Sequence, residues 1–284
     1  MSNPSILVTG ATGTVGSALV PALRDSGAQV RAMTRNPHYA LKGAQAVVAD
    51  LHDPDSITTA FNGVDAVFLN SPSTADAAEL QIRFLDLAAQ AGIARAVVLS
   101  QYGAAHGSPV RFLRWHAQVE GHIRRLNISA TVLRPNLYLQ SLLAFADTIA
   151  QGTLAAPIGT AAVSAIDTRD IADAAAAVLT SNNHDNETYT LTGPRAITHA
   201  EIADALSTAT GSSIAFQDLP PEHFTAALGS YVPQWQLEGL VEDYAHYSRG
   251  EASSVTTTIA ELTGRPARDV ADFARDYAAA FTRP

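Results

Sequence analysis

The run Ile6-Leu-Val-Thr-Gly10-Ala-Thr-Gly13-Thr-Val-Gly16 constrains this chain more than any other feature, because a short apolar strand leads straight into regularly spaced glycines and then into a helix. Residues 6–8 read as a buried strand. Gly10 lets the chain turn without a Cβ clash, Gly13 lets the main chain approach a pyrophosphate, and Gly16 lets the helix predicted over 14–26 pack close to the sheet. The free N–H groups and the dipole at that helix start favour phosphates. The spacing is G-x-x-G-x-x-G rather than the commoner G-x-G-x-x-G. A glycine triplet alone also fits a purely structural turn, so the context decides. This one follows a strand, precedes an amphipathic helix with Val15, Leu19, Val20 and Leu23 near one face, and is followed by a second strand at 29–34. That is what a β-α-β unit requires.

The tip of the second strand separates NAD from NADP, since an acid there grips the ribose 2′-hydroxyl whereas arginine accommodates a 2′-phosphate. Here it reads Arg31-Ala-Met-Thr-Arg35-Asn-Pro, with no acid and with Arg35 available, so NADPH is the expected cofactor, preferred over NADH.

Composition excludes several chemistries. Cysteine is absent, which removes disulfides, thiolate metal sites and cysteine nucleophiles. Lys42 is the single lysine, which forbids a Walker A loop and any catalytic lysine in the second half of the chain. A net charge of −9 argues against nucleic acid as a partner. No charged-then-apolar leader and no apolar run near a membrane-spanning length is visible, so the expectation is a soluble cytoplasmic protein without a membrane partner. The formation of a homo-oligomer is left open.

Strands and helices alternate in the rhythm of an α/β fold, a doubly wound parallel Rossmann sheet. Further strands are predicted at 45–49, 66–69, 96–100, 129–134 and 187–191, with helices at 74–91, 110–126 and 168–180. Asp53-Pro54 opens another helix with a capping acid followed by proline at the first helical position. After 137 a helix to 151, a loop with Pro157 and Gly159, and a strand near 163–166 are expected. The division drawn is an NAD(P)-binding Rossmann domain over 1–194 and a smaller, mostly helical C-terminal substrate or lid domain over 195–284, with 137–165 contributing to the cleft. Ligands of such sheets lie beyond the carboxyl ends of the strands.

The Thr-Gly-Ala-Thr-Gly-Thr-Val-Gly16 start, the Thr-Arg-Asn-Pro turn, Val-Leu-Ser100, His116-x-x-Val-Glu120, Leu-Arg-Pro-Asn136, Asp167-x-x-Asp-Ile-Ala172 and Leu-Thr-Gly-Pro194 occur in order along nearly the whole chain. Together they resemble the NmrA-like branch of the atypical short-chain dehydrogenase/reductases. That branch includes NADPH-dependent quinone oxidoreductases, dye and azo reductases, isoflavone-type reductases and redox-sensing regulators. The resemblance implies that Gly10, Thr12, Thr14 and Val15 meet the pyrophosphate and Arg35 the 2′-phosphate. It further implies that Asp50 and Leu51 flank the adenine, Asn70, Ser71 and Pro72 lie on the ribose side, and Pro135 and Asn136 lie at the nicotinamide.

The wider superfamily uses a Tyr-x-x-x-Lys pair to supply a proton and anchor the ribose; the matching positions here are Phe112 and His116. Phe112 can give no proton. At about 100° per residue, Phe112, His116, Val119, Ile123 and Leu126 fall within a stripe roughly 80° wide, so His116 faces inward. Two readings stand: a buried histidine satisfied locally, or a cofactor- or proton-handling group, to which its ordinary pKa near 6.5 is suited. Glu120, one turn on, is placed either to orient it or to face solvent. Tyr102 is the alternative acid, and Ser100 ends the fifth strand where a side chain reaches the nicotinamide face. Tyr138 and Gln140 are expected to contact substrate, and Trp235 or Tyr231 to line a lid. A metal site built on His116, Glu120 and His122 fails, because His122 lies across the helical wheel from Glu120 and no third ligand is in register.

The reaction expected is hydride transfer from NADPH to an electron-poor small molecule: a quinone, an iminium ion, an azo or dye-like compound, or a conjugated acceptor. A plain ketone fits less well, since the alkoxide left behind needs a proton donor or an oxyanion clamp. The alternative is a weakly catalytic NADP(H)-binding redox sensor acting through a protein partner, which must bind the reduced and oxidised cofactor with different free energies. A sugar-nucleotide epimerase relies on the missing tyrosine and lysine.

Overall fold

The computed structural model describes residues 3–39, 41–229 and 231–282. The first half follows β1 (Ser5–Val8), α1 (Thr14–Asp25), β2 (Gln29–Thr34), β3 (Gln45–Val48), α2 (Pro54–Ala60), β4 (Ala66–Leu69), α3 (Ala77–Gln90), β5 (Arg95–Leu99), α4 (Arg111–Ile123) and β6 (Ser129–Pro135). There follow α5 (Ala146–Ala150), β7 (Thr153–Ala156), β8 (Ala162–Val163), α6 (Thr168–Thr180), β9 (Thr188–Leu191), β10 (Ile197–Thr198), α7 (His199–Thr210) and β11 (Ala215–Asp218). The C-terminal helices are α8 (Pro221–Leu228), α9 (Gln234–Ser248), α10 (Thr258–Thr263) and α11 (Val270–Tyr277). None of the described helices is long and apolar enough to cross a membrane.

The main sheet has seven strands in the order β3-β2-β1-β4-β5-β6-β9, all parallel, which is the doubly wound Rossmann arrangement. Its central strands are apolar on both faces because helices cover both. Ile6, Leu7, Val8, Val67, Phe68 and Leu69 are all fully buried. One face gathers Leu7, Met33, Ile57, Phe84, Leu85, Val98, Val119 and Val132 into a core. On the other, α1 packs against α6, whose Ala174, Ala175 and Ala176 are buried.

The chain forms two compact units. One comprises Met1–Gly107, Leu113–Arg134 and Thr168–Thr190; the other comprises Ser108–Phe112, Pro135–Asp167 and Leu191–Pro284. The second unit has its own core of Leu139, Leu142, Ile149, Leu154, Ile202, Leu206, Ile214 and Phe273.

Local signals set several boundaries. Asp53 caps α2 through the N–H groups of Asp55 and Ser56, with Pro54 next, as the sequence predicts. The long helix expected before 151 is instead a 3-10 segment, Leu139–Phe145, followed by the short α5. Its start is tied elsewhere: the Leu139 N–H donates to the Ile166 carbonyl and the Gln140 amide to Asp167. The region after 195 also contains strands absent from the sequence reading, since β11 pairs in parallel with β7 and β10 pairs antiparallel with β8. These strands are only two to four residues long, too short for their alternation to be read locally.

Candidate functional site

The loop after β1 has the geometry of a phosphate cradle. Gly10 adopts φ +60°, a conformation that strains any other residue. Its carbonyl accepts the Gly13 N–H at 2.9 Å and closes the turn. A Cβ on Gly16 would stand 2.2 Å from that carbonyl oxygen and 2.7 Å from the Ala11 Cα, so only glycine lets α1 begin this close to the strand. Gly13 is the N-cap of α1, with no capping side chain and no acid in the first turn. The first N–H groups of the helix therefore have no side-chain partner, which is the arrangement that receives an anion. Thr12, Gly13 and Thr14 are exposed on the rim. Val15 is buried, so only its main chain can meet a phosphate.

The carboxyl ends of β1 and β4 are bound together at the point where the sheet order reverses. The buried Thr9 hydroxyl donates toward the Asn70 carbonyl at 2.8 Å and accepts the Asn70 N–H at 2.8 Å. Sequence reasoning missed Thr9; a polar residue following an apolar strand at its glycine turn was the available signal. The next residue, Ser71, is held by α3, whose buried Gln81 donates to the Ser71 Oγ at 2.8 Å.

Arg35 stands exposed beyond β2, with no hydrogen-bonded partner among the described residues, and its charge helps hold the Asp50 carboxyl below its usual range. The larger cause of that lowering is the His52 N–H, which donates to the Asp50 Oδ1 at 2.9 Å. Leu51 is fixed through its carbonyl, which accepts from Arg83 of α3 at 2.7 Å.

The end of β5 carries a buried polar cluster. Ser100 is buried and donates its proton to Glu120 Oε1 at 2.6 Å. The buried Glu120 carboxylate is also gripped by both Nε and Nη2 of Arg134, with the Nε contact at 2.9 Å. Ser100 is thus engaged by a carboxylate, and the hydrogen bonds that Glu120 accepts among the described residues come from an arginine and a serine rather than from His116. A buried acid at mid-helix called for such a cation, and Arg134, a charge inside an apolar strand, was its sequence signal.

His116 is half-buried and stacks on the Trp115 ring, with centroids 3.7 Å apart. Its nitrogens have no hydrogen-bonded partner among the described residues. Burial, aided by the positive charge of Arg134, pushes its pKa down to about 3, so the ring is a neutral imidazole across the physiological range. A neutral ring of this kind offers a dipole and a hydrogen-bonding group. Tyr102 is half-exposed, and its hydroxyl likewise has no hydrogen-bonded partner among the described residues.

The remaining candidates belong to the second unit. Phe112 is buried and lies edge-on to Trp235, with centroids 5.4 Å apart, and its ring tip rests on Gly239, where a Cβ would stand 2.3 Å from Cζ. Arg111 fixes α9 beside it through Glu242, Glu238 and the Trp235 carbonyl. Asn136 is buried and follows the buried Pro135, its amide donating to the Ser164 Oγ and the Ala252 carbonyl at 2.8 Å each. Gln140 is buried and donates to Asp167 at 2.7 Å. Tyr138 is half-buried, and desolvation pushes its phenol well above the usual range. Tyr231 is 83% exposed.

Comparison with known proteins is consistent along the chain. The profile of the NmrA-like family matches residues 2–272. An NAD(P)H azoreductase from Xenophilus azovorans is 34% identical over 282 residues, covering 97% of this chain and 99% of the relative. Among solved structures, an NADPH-dependent quinone oxidoreductase from Escherichia coli, complexed with NADPH, superposes with TM-score 0.85 at 27% identity, covering 95% of this chain and 99% of that one. A triphenylmethane reductase from Citrobacter, complexed with NADP(H), superposes with TM-score 0.84 at 26% identity, covering 96% of this chain and 99% of that one.

Proposed function

The chain belongs to the NmrA-like family, and we propose that it reduces electron-poor small molecules of the quinone, azo, iminium and conjugated or cationic dye classes. It is an NAD(P)H-dependent oxidoreductase, and its cofactor is NADPH. The residues present fit that group: an uncapped helix start behind a left-handed Gly10 suits a pyrophosphate, and an exposed arginine at the β2 tip suits a 2′-phosphate. When bound, the cofactor supplies the hydride.

The protein's part is positioning. The main chain from Gly10 to Gly16 holds the diphosphate, Thr12 and Thr14 line its rim, and Arg35 selects the phosphorylated nucleotide. Asp50 and Leu51 face the adenine, and Asn70, Ser71 and Pro72 the ribose side. Tyr102 is the available proton donor at the reactive end. His116 contributes a neutral polar surface. Pro135 and Asn136 are assigned to the nicotinamide, and Tyr138 and Gln140 to substrate contact.

The observation that carries the acceptor class is the pairing of Phe112, which has no proton to give, with a neutral His116. With neither of these two positions supplying a proton and Tyr102 proposed as the donor instead, the centre favours acceptors whose charge is delocalised or cancelled as hydride arrives over a plain ketone. The test is loss of reduced-nicotinamide absorbance with a panel of quinones, azo compounds, cationic dyes and simple ketones. Turnover confined to the first three classes is expected; a preference for simple ketones overturns the assignment.

A further inference from the structure

The two loops assigned to the adenine and the ribose side are joined by one side chain. His52, between β3 and α2, directs Nδ1 to Asp50 Oδ1 at 3.1 Å and Nε2 to Asp76 Oδ2 at 3.0 Å. Asp50 ends the β3 side of the adenine loop, and Asp76 is the N-cap of α3, where the loop after Asn70 finishes. Both ring nitrogens face carboxylates, so the contact is fully made only when both carry protons, in the imidazolium form. The neighbouring contacts from α3 act on the same two loops: Gln81 holds Ser71 and Arg83 holds the Leu51 carbonyl. Those contacts do not respond to pH in the physiological range. His52 does.

We infer that His52 is a positioning residue for the nucleotide, a proton-dependent clasp that holds the adenine and ribose loops in their binding arrangement and so makes cofactor affinity fall as the medium becomes more alkaline. This rests on the assignment of these loops to NADPH. The charged groups acting on the ring are Asp50, from its own loop, and Asp76, from the other; Arg35, from the β2 tip, acts on Asp50. Hydrogen bonds to the two carboxylates raise the His52 pKa above its ordinary value, while those carboxyls are lowered, Asp76 mainly by Thr74 and then by His52. The imidazolium is therefore the form that this geometry favours.

The test is calorimetric binding of NADPH and NADH between pH 6 and 9 to the wild-type protein, His52→Gln and His52→Arg, with nuclear magnetic resonance titration of the His52 ring in free and nucleotide-bound protein. NADH is the cleaner probe, because the 2′-phosphate of NADPH itself ionises in this range. Wild-type affinity for NADH is expected to fall about threefold with rising pH, the size of an exposed ion-pair contribution. His52→Gln should stay flat at the weaker value and His52→Arg flat at the tighter one. By reciprocity, nucleotide binding should raise the ring's titration midpoint by about half a pH unit. A wild-type profile matching that of His52→Gln, or a midpoint unmoved by nucleotide, overturns the clasp while leaving the cofactor site intact. Failure of both nucleotides to bind at every pH overturns the clasp together with the site.

Discussion

The Ser100 Oγ lies 2.6 Å from Glu120 Oε1 and donates to it, while Arg134 grips both oxygens of the same carboxylate. Helix α4 is thereby fastened to the ends of β5 and β6 through one buried acid. Ser100→Ala should cost about 1 kcal/mol of stability and change kcat/KM for a quinone by less than about threefold. Glu120→Gln leaves Arg134 without its counter-charge and should cost roughly 2–4 kcal/mol. Urea unfolding alongside steady-state kinetics checks both; a large kinetic loss in a stable Ser100→Ala protein would return the serine to the chemistry.

Gly16→Ala introduces a Cβ 2.2 Å from the Gly10 carbonyl oxygen. The start of α1 must move away from β1, and the turn that holds the diphosphate opens with it. Binding of NADPH should weaken by at least about tenfold, with a loss of roughly 1–3 kcal/mol in stability. Calorimetry and thermal unfolding measure the two effects.

Arg35→Ala should weaken NADPH by about tenfold or more and NADH by less than about twofold, because the exposed guanidinium has a phosphate to meet in only one of them. Equal weakening of both would remove Arg35 from the 2′-phosphate.

Tyr102→Phe separates acceptors by their need for a proton. A quinone takes up hydride as an anion that must be protonated, whereas a triarylmethyl cation is neutralised by the hydride itself. The substitution should lower kcat for a quinone by about 10- to 100-fold and leave that for a cationic dye within about threefold. A uniform loss would mean that the phenol positions substrate instead.

His199, at the start of α7, is buried with Nδ1 unpartnered among the described residues, and burial pushes its pKa down to about 4. In the unfolded chain it takes a proton below about pH 6.5, and in the folded chain only near 4, so stability is complete above the first value and declines as pH falls between them. The decline from this residue should be on the order of 2–3 kcal/mol. Denaturant unfolding of His199→Gln at pH 7 and pH 5 should show a shallower dependence than the wild-type protein.

The nucleotide half was legible because its signals are local. A glycine that must adopt a left-handed turn, a helix start lacking a capping side chain and an aspartate followed by proline each announce themselves within a few residues. What was not legible depends on partners far along the chain. Ser100 reads as a free hydroxyl until Glu120 is folded beside it, and His116 reads as a titrating group until burial removes its charged form. The clasp at His52 joins positions 24 residues apart. The strands β7 and β11 pair across some sixty residues, as the register of Leu154 with Phe216 shows, and each is only four residues long.

The ring of Phe112 ends against the bare backbone of Gly239, in space that a para substituent would need. A tyrosine there would drive its oxygen into α9, so restoring the hydroxyl requires a second, compensating change in a helix more than a hundred residues away. Position 112 and the backbone at 239 therefore act as one unit, and any redesign that puts a hydroxyl on this ring must move α9 to make room for it.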